Sequence, residues 1–112
     1  MKVLITGVNG FIGSNINNGL KDKHEILGVS QSKTSNVCDQ YIQCDLTDKE
    51  ALEEVIKKHN DIDVIVHCAA LAHNKGNDLS RDRFMKVNYG VTQDLVDLSN
   101  KYLNLKKFIF LS

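Results

Sequence analysis

A doubly wound parallel α/β sheet is the fold this sequence predicts. Three observations predict it. Short β-branched runs alternate with longer segments of helical period, the later runs are apolar at almost every position, and a glycine-rich turn stands between the first run and the first helical segment. Val64-Ile65-Val66 and Phe108-Ile109-Phe110-Leu111 do not alternate apolar with polar residues, so they suit strands covered by helices on both faces. Right-handed crossovers then bring such strands into one parallel sheet.

About five strands are expected: Lys2 to Thr6, Glu25 to Ser30, Gln40 to Cys44, Asp63 to His67 and Lys107 to Leu111. Helices are expected from Phe11 to Lys21, from Asp48 to His59 and from about Ser80 to Tyr102, where apolar residues recur three and four apart. The second has the clearest start, with Ala51, Leu52, Val55 and Ile56 on one face and Thr47 or Asp48 as its N-cap. Gln31 to Asn36 holds no apolar residue and reads as an exposed connection. There is no proline, internal repeat or low-complexity tract.

A chain of 112 residues is one domain by length. Acids and bases balance at 14 each, so no net field draws nucleic acid or an anionic membrane, and a bound anion has to be held locally. Cys38, Cys44 and Cys68 are spaced neither as a disulfide framework nor as a zinc ligand set, which suits a reducing cytoplasm. The apolar start at Met1 is too short for a signal peptide, and no run of about 18 apolar residues exists to span a membrane. A soluble, cytoplasmic protein is expected.

Gly7-Val8-Asn9-Gly10-Phe11-Ile12-Gly13 follows the first strand and opens the first helix, the context in which a glycine motif carries meaning. Gly7 permits a tight turn, Gly10 lets the backbone approach a pyrophosphate, and Gly13 lets the helix pack close to the strand. Free N–H groups and partial positive charge at the helix start complete a phosphate site.

With these glycines in this spacing the chain resembles, over its whole length, the extended short-chain dehydrogenase/reductase family, in particular its NAD(P)-dependent nucleotide-sugar epimerases and dehydratases. The resemblance implies a Rossmann fold that holds NAD or NADP, with Gly7, Asn9, Gly10, Phe11, Ile12 and Gly13 at the cofactor. It implies an adenine contact at Asp45 and Leu46, with a simple turn residue as the alternative reading of Asp45. Cys68, Ala69 and Ala70 resemble the family's small-residue floor beneath the dinucleotide, at the switch point between strands one and four. Asn88 matches a helix asparagine that ties neighbouring backbone behind the cofactor. After the second strand, Ser30-Gln31-Ser32-Lys33 offers donors and a cation where an NAD-specific site has an acid, so Ser30 and Lys33 favour NADP.

No catalytic or metal residue is assigned. His67 and His73 lack a third ligand, and Cys68 lacks an adjacent base. Tyr102 and Lys106 have Tyr-x-x-x-Lys spacing but precede the fifth strand, whereas the family's catalytic pair follows it. The expectation is therefore residues 1–112 as an NAD(P)-binding portion, truncated after strand five, lacking the catalytic helix and the substrate domain and binding dinucleotide without turnover. For the longer enzyme the resemblance implies a nucleotide-sugar substrate, a role in surface-polysaccharide biosynthesis and a homodimer through the helix around Ser80 to Tyr102. The alternatives are the front half of a keto-sugar or carbonyl reductase and a non-catalytic dinucleotide sensor.

Overall fold

The computed structural model describes residues 1–68 and 81–111, the side chains of 81–85 excepted. Strands β1 (Lys2–Thr6), β2 (Glu25–Ser30), β3 (Gln40–Gln43), β4 (Val64–His67) and β5 (Lys107–Phe110) form one parallel sheet in the order β3-β2-β1-β4-β5. Helices α1 (Phe11–Leu20), α2 (Lys49–Lys58) and α3 (Arg81–Tyr102) connect them. The predicted elements are all present, and no end shifts by more than one residue. Lys21 and His59, read as the last helical residues, are C-caps instead, and a cap is half in the helix by definition.

Successive side chains of a strand point to opposite faces, and each face has its own helices. Leu4, Leu27, Val29 and Ile65 pack with Leu52, Val55 and Ile56 of α2 and Val91, Leu95 and Leu98 of α3. Val3, Ile5, Ile26 and Val66 face the other way, against Ile16 and Leu20 of α1. Both faces of the central strands are thus buried, which explains their near-continuous apolar sequence.

The helices hold their places differently. α1 is rich in asparagine and glycine, weak helix formers, so its packing has to supply what propensity does not. Its buried Asn17 donates from Nδ2 to the Val37 carbonyl at 2.8 Å. α2 has an N-cap, Asp48, whose Oδ1 accepts from Ala51 N–H at 3.2 Å, while Glu50 in the first turn and Lys57 and Lys58 in the last complement the dipole. Thr47, the alternative cap, instead turns its hydroxyl to Asp45.

At the amino ends of the strands, Lys2 gathers a charged cluster. Its Nζ lies 3.0 Å from Asp61 Oδ1, 3.5 Å from Glu25 Oε2 and 3.2 Å from His59 Nδ1, and its backbone N–H donates to Asp63 Oδ2 at 3.0 Å. A protonated lysine only donates, so His59 Nδ1 has to present its lone pair. Burial first, and then the Lys2 charge, pull the His59 pKa down. No helix among the described residues is long and apolar enough to cross a membrane.

Candidate functional site

The sheet reverses its winding between β1 and β4: β2 and β3 lie to one side and β5 to the other. The crevice outside the carboxyl ends of strands at such a point is where open α/β sheets bind ligands. The glycine turn stands there. Gly7 has φ 67°, the only positive φ among the described residues, which a side chain would strain. Its N–H donates to the Val29 carbonyl at 2.8 Å, and Gly10 N–H closes the turn onto Gly7 O at 3.0 Å.

The other two glycines differ in what excludes a side chain. A Cβ on Gly13 would fall 2.2 Å from Gly7 O and 2.9 Å from Val8 Cα, inside the backbone of the turn. The close approach is therefore to the turn after β1 and not to the strand itself. A Cβ on Gly10 would meet only Gly7 O, at 3.3 Å, so little of the fold itself excludes a side chain there. Gly10 is also the N-cap of α1 and makes no side-chain cap, and the first turn of α1 holds no acid. Phe11 and Ile12, which follow it, are 85% and 50% exposed. Backbone N–H groups at an uncapped start, within an exposed turn, have the chemistry that receives an anion.

Asn9 is placed otherwise than its motif suggests. Its Nδ2 donates to the Thr34 carbonyl at 3.2 Å and its Oδ1 accepts from Ser35 Oγ at 2.6 Å, so the side chain is directed at the connection after β2. That connection is exposed as expected, apart from half-buried Ser35. Ser30 closes β2 and is half-buried, and Lys33 is exposed. Asp45 is exposed beyond β3, where its Oδ1 accepts from Thr47 N–H at 2.9 Å and from Thr47 Oγ1 at 2.7 Å. Asp45 thus makes the turn that sequence reading left open to it, and buried Leu46 follows. Asn88 is half-buried on α3 and its carbonyl accepts from Thr92 Oγ1. Ala69, Ala70 and His73 lie outside the described residues.

Two residues missing from the predicted cofactor site brace the crevice. Thr6 and His67 end β1 and β4 in register, both buried, with Thr6 Oγ1 2.6 Å from His67 Nδ1. Cys68 N–H donates to Thr6 Oγ1 at 3.0 Å, one residue beyond the last strand pair. The His67 ring sits 5.5 Å from that of Phe110, and burial holds its pKa down. Thr6 and Phe110 thus hold His67 within the fold. Burial also raises the Cys68 pKa, which keeps it a thiol. Gly28 is a third omission: a Cβ there would lie 2.7 Å from Val8 Cγ1 and 3.0 Å from Cys38 Sγ. Glycine inside a strand is a legible signal of such close approach.

Tyr102 and Lys106 lie at the opposite, amino edge. Tyr102 donates to Glu53 Oε2 at 2.9 Å, and Lys106 N–H donates to the Asp63 carbonyl at 2.7 Å. No group of three or more His, Cys, Asp or Glu residues among the described ones could hold a metal.

Residues 3–112 match the sequence profile of the NAD dependent epimerase/dehydratase family. The chain belongs to that family. Among curated members, it is 28% identical over 125 residues to the dTDP-D-glucose 4,6-dehydratase of Dictyostelium discoideum, an alignment covering 99% of this chain and 28% of the dehydratase. Among solved structures, the UDP-glucose 4-epimerase of Thermotoga maritima with UDP-glucose superposes with a TM-score of 0.81 at 26% identity, over 98% of this chain and 37% of that one. The Bifidobacterium longum UDP-glucose 4-epimerase in complex with NAD+ and UDP gives 0.81 at 25% identity, over 100% and 37%. The chain therefore spans about a third of the length of these epimerase/dehydratase relatives, and across that span its Rossmann-type sheet is theirs.

Proposed function

We propose that residues 1–112 are the dinucleotide-binding portion of a nucleotide-sugar epimerase or dehydratase, and that by themselves they bind NAD(P) without turnover. One observation carries the reading: at the switch point, Gly10 begins an uncapped helix in a position where the fold leaves space a side chain would fill. Pyrophosphate would be held by the N–H groups from Phe11 to Gly13, beside the open space at Gly10, and adenine by Asp45 and the Leu46 N–H. Bound NAD(P) supplies hydride acceptance and return. The chain's own residues bind and orient it, and the Tyr-x-x-x-Lys arrangement that family catalysis uses after the fifth strand has no counterpart in these residues.

The second part of the proposal is a preference for NADP. The connection after β2 carries no acid from Ser30 to Ser35, so nothing there repels a 2′-phosphate. Its carbonyls are fixed on both sides of Lys33: Gln31 O accepts from Gln43, Ser32 O from Tyr41 and Thr34 O from Asn9. The exposed Lys33 is thereby presented from a preformed backbone. In the longer protein the substrate is a nucleotide sugar, as in the epimerase and dehydratase relatives, and α3, with Tyr89 71% exposed, pairs two copies.

Calorimetric titration of the purified chain with NADP+ and NAD+, alongside turnover assays with UDP-glucose and dTDP-glucose, tests these points. Expected are binding of both dinucleotides, tighter for NADP+, a preference that fades with salt and in Lys33→Ala, and no turnover. Measurable turnover, or clearly tighter NAD+ binding, overturns the corresponding part.

A further inference from the structure

The Asn9 side chain is spent on the fold and not offered to a ligand. Its amide makes two bonds to the β2–β3 connection, to the Thr34 carbonyl and from Ser35 Oγ. Ser35 Oγ in turn accepts from Val37 N–H at 3.1 Å and from Cys38 N–H at 3.3 Å. One hydroxyl thus donates once and accepts twice, which uses its full hydrogen-bonding capacity. Beyond it, Val37 O is held by Asn17 of α1, and the Cys38 thiol, buried against Gly28, donates to Gln40 O at 3.1 Å. Upstream, Gln31 and Ser32 are held by β3. Lys33 sits between two anchored stretches, one tied to the sheet and the other to the glycine turn.

We infer that Asn9 and Ser35 are specificity-determining positioning residues, a brace that ties the phosphate-binding turn to the segment facing the 2′ position of the adenosine ribose. This rests on the dinucleotide reading above. Through the brace the two recognition surfaces act as one unit: the backbone that receives pyrophosphate also fixes where Lys33 stands. Neither side chain needs to touch the ligand. A hydrogen-bonded network of this kind acts as a whole, so losing either end releases the connection.

The test is a double-mutant cycle on cofactor discrimination, read as the ratio of Kd for NAD+ to Kd for NADP+ with the 112-residue chain. Ser35→Ala, which removes the hydroxyl and all three of its hydrogen bonds, is expected to shift that ratio about tenfold toward parity. Ser35→Thr, which keeps the hydroxyl, should restore it. Asn9→Ala should match Ser35→Ala, and the double variant Ser35→Ala/Lys33→Ala should lose no more discrimination than Lys33→Ala alone, because both act through the same lysine. A ratio unchanged in folded Ser35→Ala and Asn9→Ala, or both Kd values shifted by a common factor, would overturn the brace. Should Asn9→Ala fail to fold, the serine pair decides. Absence of dinucleotide binding by the wild-type chain overturns the dinucleotide reading instead, and a wild-type ratio favouring NAD+ overturns only the NADP preference, since the brace is read as movement from the wild-type value.

Discussion

Helices α1 and α2 both begin just beyond the carboxyl end of a strand, and they begin in opposite ways. α2 satisfies itself, with Asp48 capping Ala51 N–H and Glu50 adding negative charge to the first turn. α1 starts at a glycine with no side-chain cap and no acid, and its Ser14 and Asn15 side chains bond back to the Phe11 carbonyl instead of reaching the free N–H groups. Two helix starts with the same dipole thus have different destinations. The one closed by its own carboxylates supports the fold, and the one left without them is available to an external anion.

The largest effect should come from closing the turn from inside. Gly13→Ala drives a methyl into the Gly7 carbonyl, and overpacking against backbone of this kind should cost about 3 kcal/mol, read as a lower urea midpoint. Unaltered stability would mean that α1 does not approach the turn as closely as 2.2 Å implies.

Next comes a change that makes α1 resemble α2. Gly10 has φ −75° and ψ 171°, a backbone open to any residue, so Gly10→Asp should cap the helix and keep the fold. It should also set a carboxylate where phosphate would bind, weakening NADP+ binding about 100-fold or more. A folded Gly10→Asp that binds as the parent does would erase the distinction between the two helices. The reciprocal change, Asp48→Ala, should cost about 1 kcal/mol of stability and leave Kd unchanged.

A smaller effect should appear with pH, through one histidine at each edge of the sheet. Burial and Lys2 lower the His59 pKa, and burial lowers that of His67. Both folded values lie below the ordinary histidine value of about 6.5. Each neutral ring therefore contributes stability that is present above that pH and lost as pH falls through the folded value. The urea midpoint should decline on mild acidification, and His59→Gln should remove part of the decline without affecting NADP+ binding at neutral pH. An equally steep decline in that variant would show that the Lys2 cluster does not hold His59 neutral.

These contrasts also mark what could be read from the sequence. The strands, the helices and the glycine turn were legible because each is local: period, β-branching and three glycines within seven residues report directly on backbone geometry. The Asp48 cap was legible for the same reason, within one residue. The brace from Asn9 to Ser35, the Thr6–His67 pair and the Lys2 cluster were not, because each joins residues 23 to 61 positions apart. Asn9 shows the consequence. Its place in the motif suggested a ligand contact, and only the fold reveals that its amide is already committed to Thr34 and Ser35. Gly28 was readable in principle and passed over, since a strand glycine is ordinary until Val8 and Cys38 are seen pressed against it.

The central claim is that a dinucleotide occupies the carboxyl edge at the start of α1. Amide chemical-shift mapping of the 15N-labelled chain, titrated with NADP+ and then NAD+, tests it most directly. Saturable shifts are expected at Gly7, at Asn9 to Gly13 and at Leu46 and Cys68, with the Lys2 cluster and the start of α2 at Ala51 unmoved. Saturable shifts centred on the amino edge, or none at Gly10 and its neighbours, would contradict it.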